Sequence, residues 1–108
     1  MKLSFSTLGC PRWDVSEIIA TAKDFGYDGV ELRGVQSELH MPRHKAFRPE
    51  NIAATSAQFA DKGLKVPCIT SGCVISDPEK VDANREELRQ YVDCLLYTSI
   101  RLFAEFFH

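Results

Sequence analysis

The sequence has no apolar run that approaches the roughly 18 residues needed to cross a membrane. It also has no basic excess, because 13 lysines and arginines face 15 aspartates and glutamates, for a formal net charge of −2. Domains that bind duplex nucleic acid usually carry a basic face. The first residues lack the basic and apolar stretches of a signal peptide. We therefore expect a cytoplasmic protein with neither a membrane nor a nucleic acid as partner.

Motifs with a fixed spacing are also missing. The four cysteines, at positions 10, 68, 73 and 94, form no CxxC pair, so a metal or disulfide framework is not indicated. No P-loop, GxGxxG pattern or GxSxG elbow occurs. With 108 residues, of which 44% are hydrophobic and 26% charged, the chain has the composition of one ordinary globular domain at most.

What is present is an alternation of strand and helix patterns. Apolar and polar residues alternate at 3–7 and 29–33, and an apolar-rich segment follows at 65–70, which predicts three strands. Helices are expected to begin after Asp14, at Pro49 and near Pro78, and the first two to end at Gly26 and Gly63. The residues expected on the inner faces of these helices are Val15, Ile18, Ile19, Ala22, Phe25, Ile52, Ser56, Phe59, Ala60, Val81, Leu88, Val92 and Leu95.

Strand–helix alternation with short connections indicates a parallel sheet. In a doubly wound sheet the central strands are buried on both faces, whereas the second strand here carries Glu31 and Arg33 on one face. A barrel accommodates such residues, because polar side chains at the carboxyl ends of its strands line the active site. We therefore predict an α/β fold, an incomplete (β/α)8 TIM barrel with the first three βα units and a candidate fourth strand near Ile100 to Phe103.

Two further expectations follow from this assignment. A complete barrel needs eight units and typically about 250 residues, so the chain would be the N-terminal part of a larger protein. Pro67 has no backbone N–H to donate, so a bulge or distorted pairing is expected in the third strand.

The string AKDFGYDGVELRG, from Ala22 to Gly34, resembles the second strand and its approach in xylose-isomerase-like TIM barrels. That family includes sugar-phosphate isomerases and epimerases and is similar in fold to endonuclease IV. KLSFSTLGCP, DKGLKVPCITSG and NREELRQYVD resemble its first strand, its third strand and the helix before its fourth strand. The resemblance covers residues 1–93, which we assign to the N-terminal part of such a barrel.

The resemblance implies a parent enzyme that isomerises or epimerises a sugar or sugar phosphate. It also implies a divalent metal (Mn, Mg, Zn or Co), held by Glu, Asp and His residues in the second half of the barrel. Because that half is absent from this chain, we expect the chain alone to be inactive and to contain neither a catalytic residue nor a metal ligand.

The segment 94–108 departs from the family's pattern. CLLYTS, from Cys94 to Ser99, is what one reading frame of a common sequencing-transposon end encodes. We interpret 94–108 as a non-native tail in which IRLF, from Ile100, could be a remnant of strand four. His108 lies in this tail and is given no role.

Four polar side chains are candidates for substrate binding. Glu31 lies at the end of the second strand, where the resemblance implies a contact with a sugar hydroxyl, and Arg33 could bind a phosphate or carboxylate. The simpler alternative is an ion pair between these two residues. His40 lies in a long, locally basic loop at 34–48, which could instead be a solvated surface loop. Ser71 follows the third strand.

A metal site at His40 and His44 is not expected, because Pro42 interrupts a helix between them. Two other functions stay open. One is an endonuclease IV-like enzyme fragment, and the other is a small non-catalytic α/β module that self-associates through exposed strand edges.

Overall fold

The computed structural model describes residues 1–95 and 101–105, with side chains described as far as Asp93. Strands and helices alternate along the chain. The strands are β1 (Ser4–Ser6), β2 (Gly29–Glu31), β3 (Cys68–Val74) and β4 (Arg101–Glu105). The helices are α1 (Val15–Asp24), α2 (Ile52–Asp61) and α3 (Val81–Leu95). None of the helices in these residues is long and apolar enough to span a membrane.

The strands run parallel in chain order. β1 pairs with β2, and β3 pairs with β4. Two isolated parallel bridges, Gly29 with Lys65 and Leu32 with Ile69, join these two pairs. The arrangement is that of part of a parallel α/β barrel, in which the carboxyl ends of the strands lie on the same edge.

Pro67 lies at an irregularity in the pairing, as the sequence predicted. Between the two bridges, three steps along the chain from Gly29 to Leu32 correspond to four steps from Lys65 to Ile69. One extra residue therefore stands in the segment that holds Pro67, which is a bulge. The bulge lets the chain pass a residue that cannot donate a backbone hydrogen bond.

Gly29 lies where three backbone segments approach one another. A Cβ atom at this position would come within 2.7 Å of the Lys65 carbonyl oxygen, 2.8 Å of Ser4 Oγ and 3.3 Å of Pro67 Cδ. Only glycine fits without displacement of a neighbour. This close approach brings β2 next to both β1 and the Lys65 segment.

The ends of α1 follow the local sequence signals. Asp14 and Glu17 form a reciprocal capping box, with the Glu17 N–H donating to Asp14 Oδ1 at 2.8 Å. After the helix, Gly26 has a φ of +74°, and the Tyr27 N–H donates to the Ala22 carbonyl at 2.9 Å. This is the glycine-ended helix terminus that the sequence predicts, and Gly63 ends α2 in the same way.

One predicted helix start and two inward-facing assignments are wrong. α2 begins at Ile52 and not at Pro49, because residues 49–51 form a turn before the helix. Phe25 is 78% exposed, since it caps α1 and lies beyond its buried stripe. Ala60 is exposed, and Thr55 takes the inner position through a hydrogen bond to the Ala46 carbonyl.

The face that α3 turns inward also differs from the expected one. Val81 and Val92 are each 48% exposed, whereas Asn84 and Tyr91 are buried. Asn84 Nδ2 donates to the Val74 carbonyl at 2.8 Å, and the Tyr91 hydroxyl reaches the loop after β2. These hydrogen bonds fix the rotation of α3 about its axis, so the apolar spacing does not determine which face is buried.

The core lies between α1, α2 and the outer faces of β2 and β3. Its buried side chains include Ile18, Ala22, Val30, Leu32, Ile52, Phe59 and Ile69. Trp13 packs against this core and is partly buried, in agreement with the packing role favoured from the sequence.

The predicted fourth strand corresponds to β4, although Ile100 lies outside the described residues. The remainder of the tail, at 96–99 and 106–108 with His108, also lies outside them. The interpretation of 94–108 as a non-native tail stays a prediction.

Candidate functional site

Polar side chains gather at the end of β2 and beside the neighbouring residues of β3. Val30 and Leu32 are buried against the helices, at 0% and 1% exposure, while Glu31 and Arg33 alternate with them and are partly exposed. Successive side chains of a strand point to opposite faces, so Glu31 and Arg33 share the face away from the helices. This is the carboxyl-end location at which barrel enzymes place their active sites.

Glu31 is held by the neighbouring strand. The Thr70 hydroxyl donates a hydrogen bond to Glu31 Oε1. The Cys68 thiol lies close enough that the pKa of Cys68 is raised, first by burial and second by the negative charge of Glu31. The glutamate is therefore positioned by β3 and is not paired with Arg33 by a direct hydrogen bond.

Arg33 begins the loop after β2, and its backbone N–H donates to Thr7 Oγ1 at 2.7 Å. This bond ties the end of β2 to the turn after β1. Within the described part of the chain, Arg33 Nη1 is buried and has no hydrogen-bond partner. A Cβ atom on Gly72 would lie 3.8 Å from Arg33 Nη2 and 3.9 Å from Arg33 Nη1. The guanidinium thus lies beside the bare backbone of β3.

Glu87 brings α3 into the same cluster. Its Oε1 accepts a hydrogen bond from the Gly72 N–H at 3.1 Å and lies 3.5 Å from His40 Nδ1. His40 Nε2 lies 2.6 Å from Gln90 Oε1. Sequence reasoning missed Glu87, Thr70 and Gly72, because nothing in their local pattern distinguishes them from ordinary helix and strand residues.

The two histidines of the long loop have different partners. His44 is buried, its Nδ1 accepts from the Ala46 N–H at 3.1 Å, and its Nε2 lies 2.6 Å from Gln36 Oε1. Burial, followed by the charge of Lys45, lowers the pKa of His44. His40 instead contacts α3. The loop is partly folded into the core through Met41 and Phe47, so it is not wholly a solvated loop.

Ser71 lies within β3 and not after it, because the strand continues to Val74. It is fully buried, and its hydroxyl accepts a hydrogen bond from the Cys73 N–H at 3.3 Å. Thr70 faces Glu31, so the pleat of the strand turns Ser71 to the opposite side. Of the four predicted substrate-binding residues, the structure brings Glu31, Arg33 and His40 to one edge and places Ser71, fully buried, on the opposite side of β3.

The state of the thiols and the grouping of potential metal ligands limit the chemistry that this cluster can perform. Burial raises the pKa of Cys10, Cys68 and Cys73, which favours the unreactive thiol form at neutral pH. Among residues 1–95 and 101–105, no three side chains of His, Cys, Asp or Glu are grouped so as to hold a metal ion. The described residues therefore do not provide a complete metal site, and we assign no chemical step to a metal here.

No protein-family model matches this chain, and no curated protein matches it. Among solved structures, the chain is similar to the crystal structure of the probable 3-DHS dehydratase AsbF from Bacillus anthracis, which is involved in petrobactin synthesis. The TM-score is 0.70 at 22% sequence identity. The match covers 96% of this chain and 38% of that protein. The chain therefore has the fold of part of a TIM barrel, as the resemblance of its sequence predicts.

Proposed function

We propose that the chain forms part of the substrate-binding wall of a TIM-barrel enzyme that isomerises or epimerises a sugar or sugar phosphate. Two findings support the substrate class. The sequence resembles sugar-phosphate isomerases and epimerases, and the similar solved structure is that of a probable dehydratase of 3-DHS.

The observation that carries the proposal is the position of Glu31. Its carboxylate lies at the carboxyl end of β2, partly exposed, and the Thr70 hydroxyl holds it from the next strand. A carboxylate can accept about four hydrogen bonds, so acceptor capacity remains for the hydroxyl groups of a substrate. Because Thr70 restricts its rotation, Glu31 is preorganised for this contact.

The other proposed substrate-binding residues have different positions relative to Glu31. Arg33 lies on the same face of the chain two residues later, and His40 approaches from the loop through its contact with Glu87. Ser71 is buried on the opposite side of β3, so its proposed contribution is to support the backbone of that strand through the Cys73 N–H.

A divalent metal, as the resemblance implies, belongs to the proposal for the whole enzyme. It would be held by residues outside the described part of this chain, because no suitable group is present within it. We propose that the chain alone is inactive and acts in the cytoplasm only as part of a larger protein. Metal-dependent epimerase activity in the purified 108-residue chain would contradict this.

Self-association of the isolated chain is a further part of the proposal. Leu3, Phe25, Val81 and Val92 are large apolar side chains with 48% or more of their surface exposed. Such side chains favour contacts between copies. Light scattering after size-exclusion chromatography measures this, and a strictly monomeric chain at high concentration would argue against it.

The test of the proposed function is a binding titration of the ¹⁵N-labelled chain, followed by NMR. The probes are glucose and fructose as neutral polyols and their 6-phosphates. We expect the amide signals of Glu31, Thr70 and Gly72 to shift upon binding. Replacement Glu31→Gln should weaken binding of the neutral sugars about tenfold, since a hydrogen bond to a charged group contributes about 1.5–3 kcal/mol.

Glu50→Gln is the matched control, because Glu50 is an exposed carboxylate in the turn before α2. It should leave binding unchanged. Far-UV circular dichroism of both variants establishes that they are folded. Equal affinity of the Glu31→Gln and Glu50→Gln variants would refute the assignment of Glu31.

A further inference from the structure

The guanidinium of Arg33 holds a buried donor that nothing in the described residues satisfies. Its Nη1 is enclosed and has no hydrogen-bond partner there, although the side chain as a whole is only partly buried. A buried polar group without a partner is destabilising, and more so when it is charged. Such a group in a folded protein calls for an acceptor, and the described residues do not supply one.

The nearby carboxylates are already engaged with other donors. Glu87 accepts from the Gly72 N–H at 3.1 Å and lies 3.5 Å from His40 Nδ1. Glu31 accepts from Thr70. The titratable groups that feel the charge of Arg33 include Cys73 and Tyr91, and the two nearby acids are held by other donors. Arg33 is not locked in a direct ion pair with either acid.

The absence of a side chain at Gly72 leaves room beside the guanidinium. A Cβ there would lie within 3.8 and 3.9 Å of its two terminal nitrogens and 3.3 Å from Glu87 Oε1. That position therefore adjoins both the guanidinium and the Glu87 carboxylate.

We propose that Arg33 binds an anionic group of the substrate, a carboxylate or a phosphate, and so determines the preference of this site for charged over neutral molecules. This inference rests on the proposed function, because it assigns a chemical class to one part of the same substrate wall. The planar guanidinium can donate two parallel hydrogen bonds to either oxyanion. A lysine in its place would supply the charge without this geometry.

The preference is measured as the ratio of affinities for matched probes that share a glucose-derived skeleton. Glucose is neutral, gluconate carries a carboxylate, and glucose 6-phosphate carries a phosphate. We expect at least one anionic probe to bind the full chain about tenfold or more tightly than glucose. Comparison of gluconate with glucose 6-phosphate then identifies which oxyanion Arg33 takes.

Variants assign the preference to Arg33. Arg33→Gln should weaken binding of the preferred anion about tenfold to hundredfold and leave glucose within about twofold. Arg33→Lys should restore part of the loss. Arg85→Gln is the control, because Arg85 is an exposed arginine on α3 and should have no effect. Gly72→Ala should weaken anion binding, since its Cβ takes the space beside the guanidinium.

Each outcome decides between the proposals. If glucose binds through Glu31 and the anions bind no better, the role of Arg33 is refuted while the proposed function stands. If no probe binds, the proposed function falls, and this inference with it. If Arg33→Gln is unfolded by circular dichroism, Arg33→Lys decides, and an unchanged anion preference in that variant would overturn the bidentate assignment.

Discussion

Replacement of Gly29 by alanine tests the close approach that sets β2 between β1 and the Lys65 segment. The added Cβ would lie 2.7 Å from the Lys65 carbonyl oxygen and 2.8 Å from Ser4 Oγ. The serine hydroxyl can rotate away. The carbonyl is backbone and accepts the Val30 N–H at 2.9 Å, so relief requires the segment to move and that hydrogen bond to weaken.

Three contributions determine the change in the free energy of unfolding that Gly29→Ala causes. Overpacking of this kind costs about 1–3 kcal/mol. Weakening of the Val30 hydrogen bond costs about 0.5–1.5 kcal/mol. The reduced backbone freedom of alanine in the unfolded chain offsets about 0.4–1 kcal/mol. The expected net loss in the free energy of unfolding is about 2 kcal/mol, and at a urea m-value of about 2 kcal/mol/M it lowers the midpoint by about 1 M.

Gly9→Ala is the matched control for this measurement. A Cβ atom on Gly9 would have no neighbouring atom within 4 Å, and Gly9 does not have a positive φ, so alanine should be tolerated there. Urea unfolding of both variants is followed by circular dichroism at equilibrium. A Gly29→Ala midpoint equal to or above that of Gly9→Ala would refute the close approach at this junction.

The remaining predictions concern two buried titratable side chains. The pKa of His44 is lowered in the folded chain, so its stability contribution is full above pH 6.5 and is lost as the pH falls below that value. His44→Asn, which keeps an acceptor for the Ala46 N–H, should therefore reduce the loss of stability between pH 7 and about pH 5. Burial raises the pKa of Tyr91 to about 12, so stability should fall as the pH rises above 10. Tyr91→Phe should remove that alkaline loss and cost about 1 kcal/mol at neutral pH, because the Met41 N–H loses its acceptor.

Urea midpoints measured across the pH range check both predictions. A His44→Asn variant with the acid dependence of the unsubstituted chain would show that His44 is not the responsible group. For Tyr91→Phe, the two hydroxyl bonds are long, at 3.3 Å to the Met41 nitrogen and 3.4 Å to the Leu39 oxygen. A neutral-pH loss far above about 1 kcal/mol would therefore contradict the hydrogen-bond explanation.

Features that depend on neighbours in the chain were predictable from the sequence. The capping box at Asp14, the glycine ends of α1 and α2, and the opposite faces of Val30 and Glu31 all follow from local spacing. The irregularity at Pro67 was predictable for the same reason, since a missing N–H disrupts pairing in any parallel strand. Placement of Glu31 and Arg33 at a strand end followed from these local patterns.

Contacts between distant residues were not predictable from one sequence. Thr70 and Glu31 are 39 positions apart, and His40 and Gln90 are 50 apart. The exposed positions of Val81 and Val92 have the same origin. The apolar spacing of α3 is compatible with more than one rotation, and the hydrogen bonds of Asn84 and Tyr91 select one of them.

Local sequence therefore decided where α1 begins and ends, where α2 ends, and which strand residues share a face. Tertiary structure decided that Glu31 is held by Thr70, that Glu87 is engaged by Gly72, and that Arg33 is left with an unpartnered donor among the described residues. The physical reason is the range of the interactions. Backbone geometry and capping act within a few residues, whereas the partner of a charged side chain depends on which segments the fold brings within about 3 Å of it.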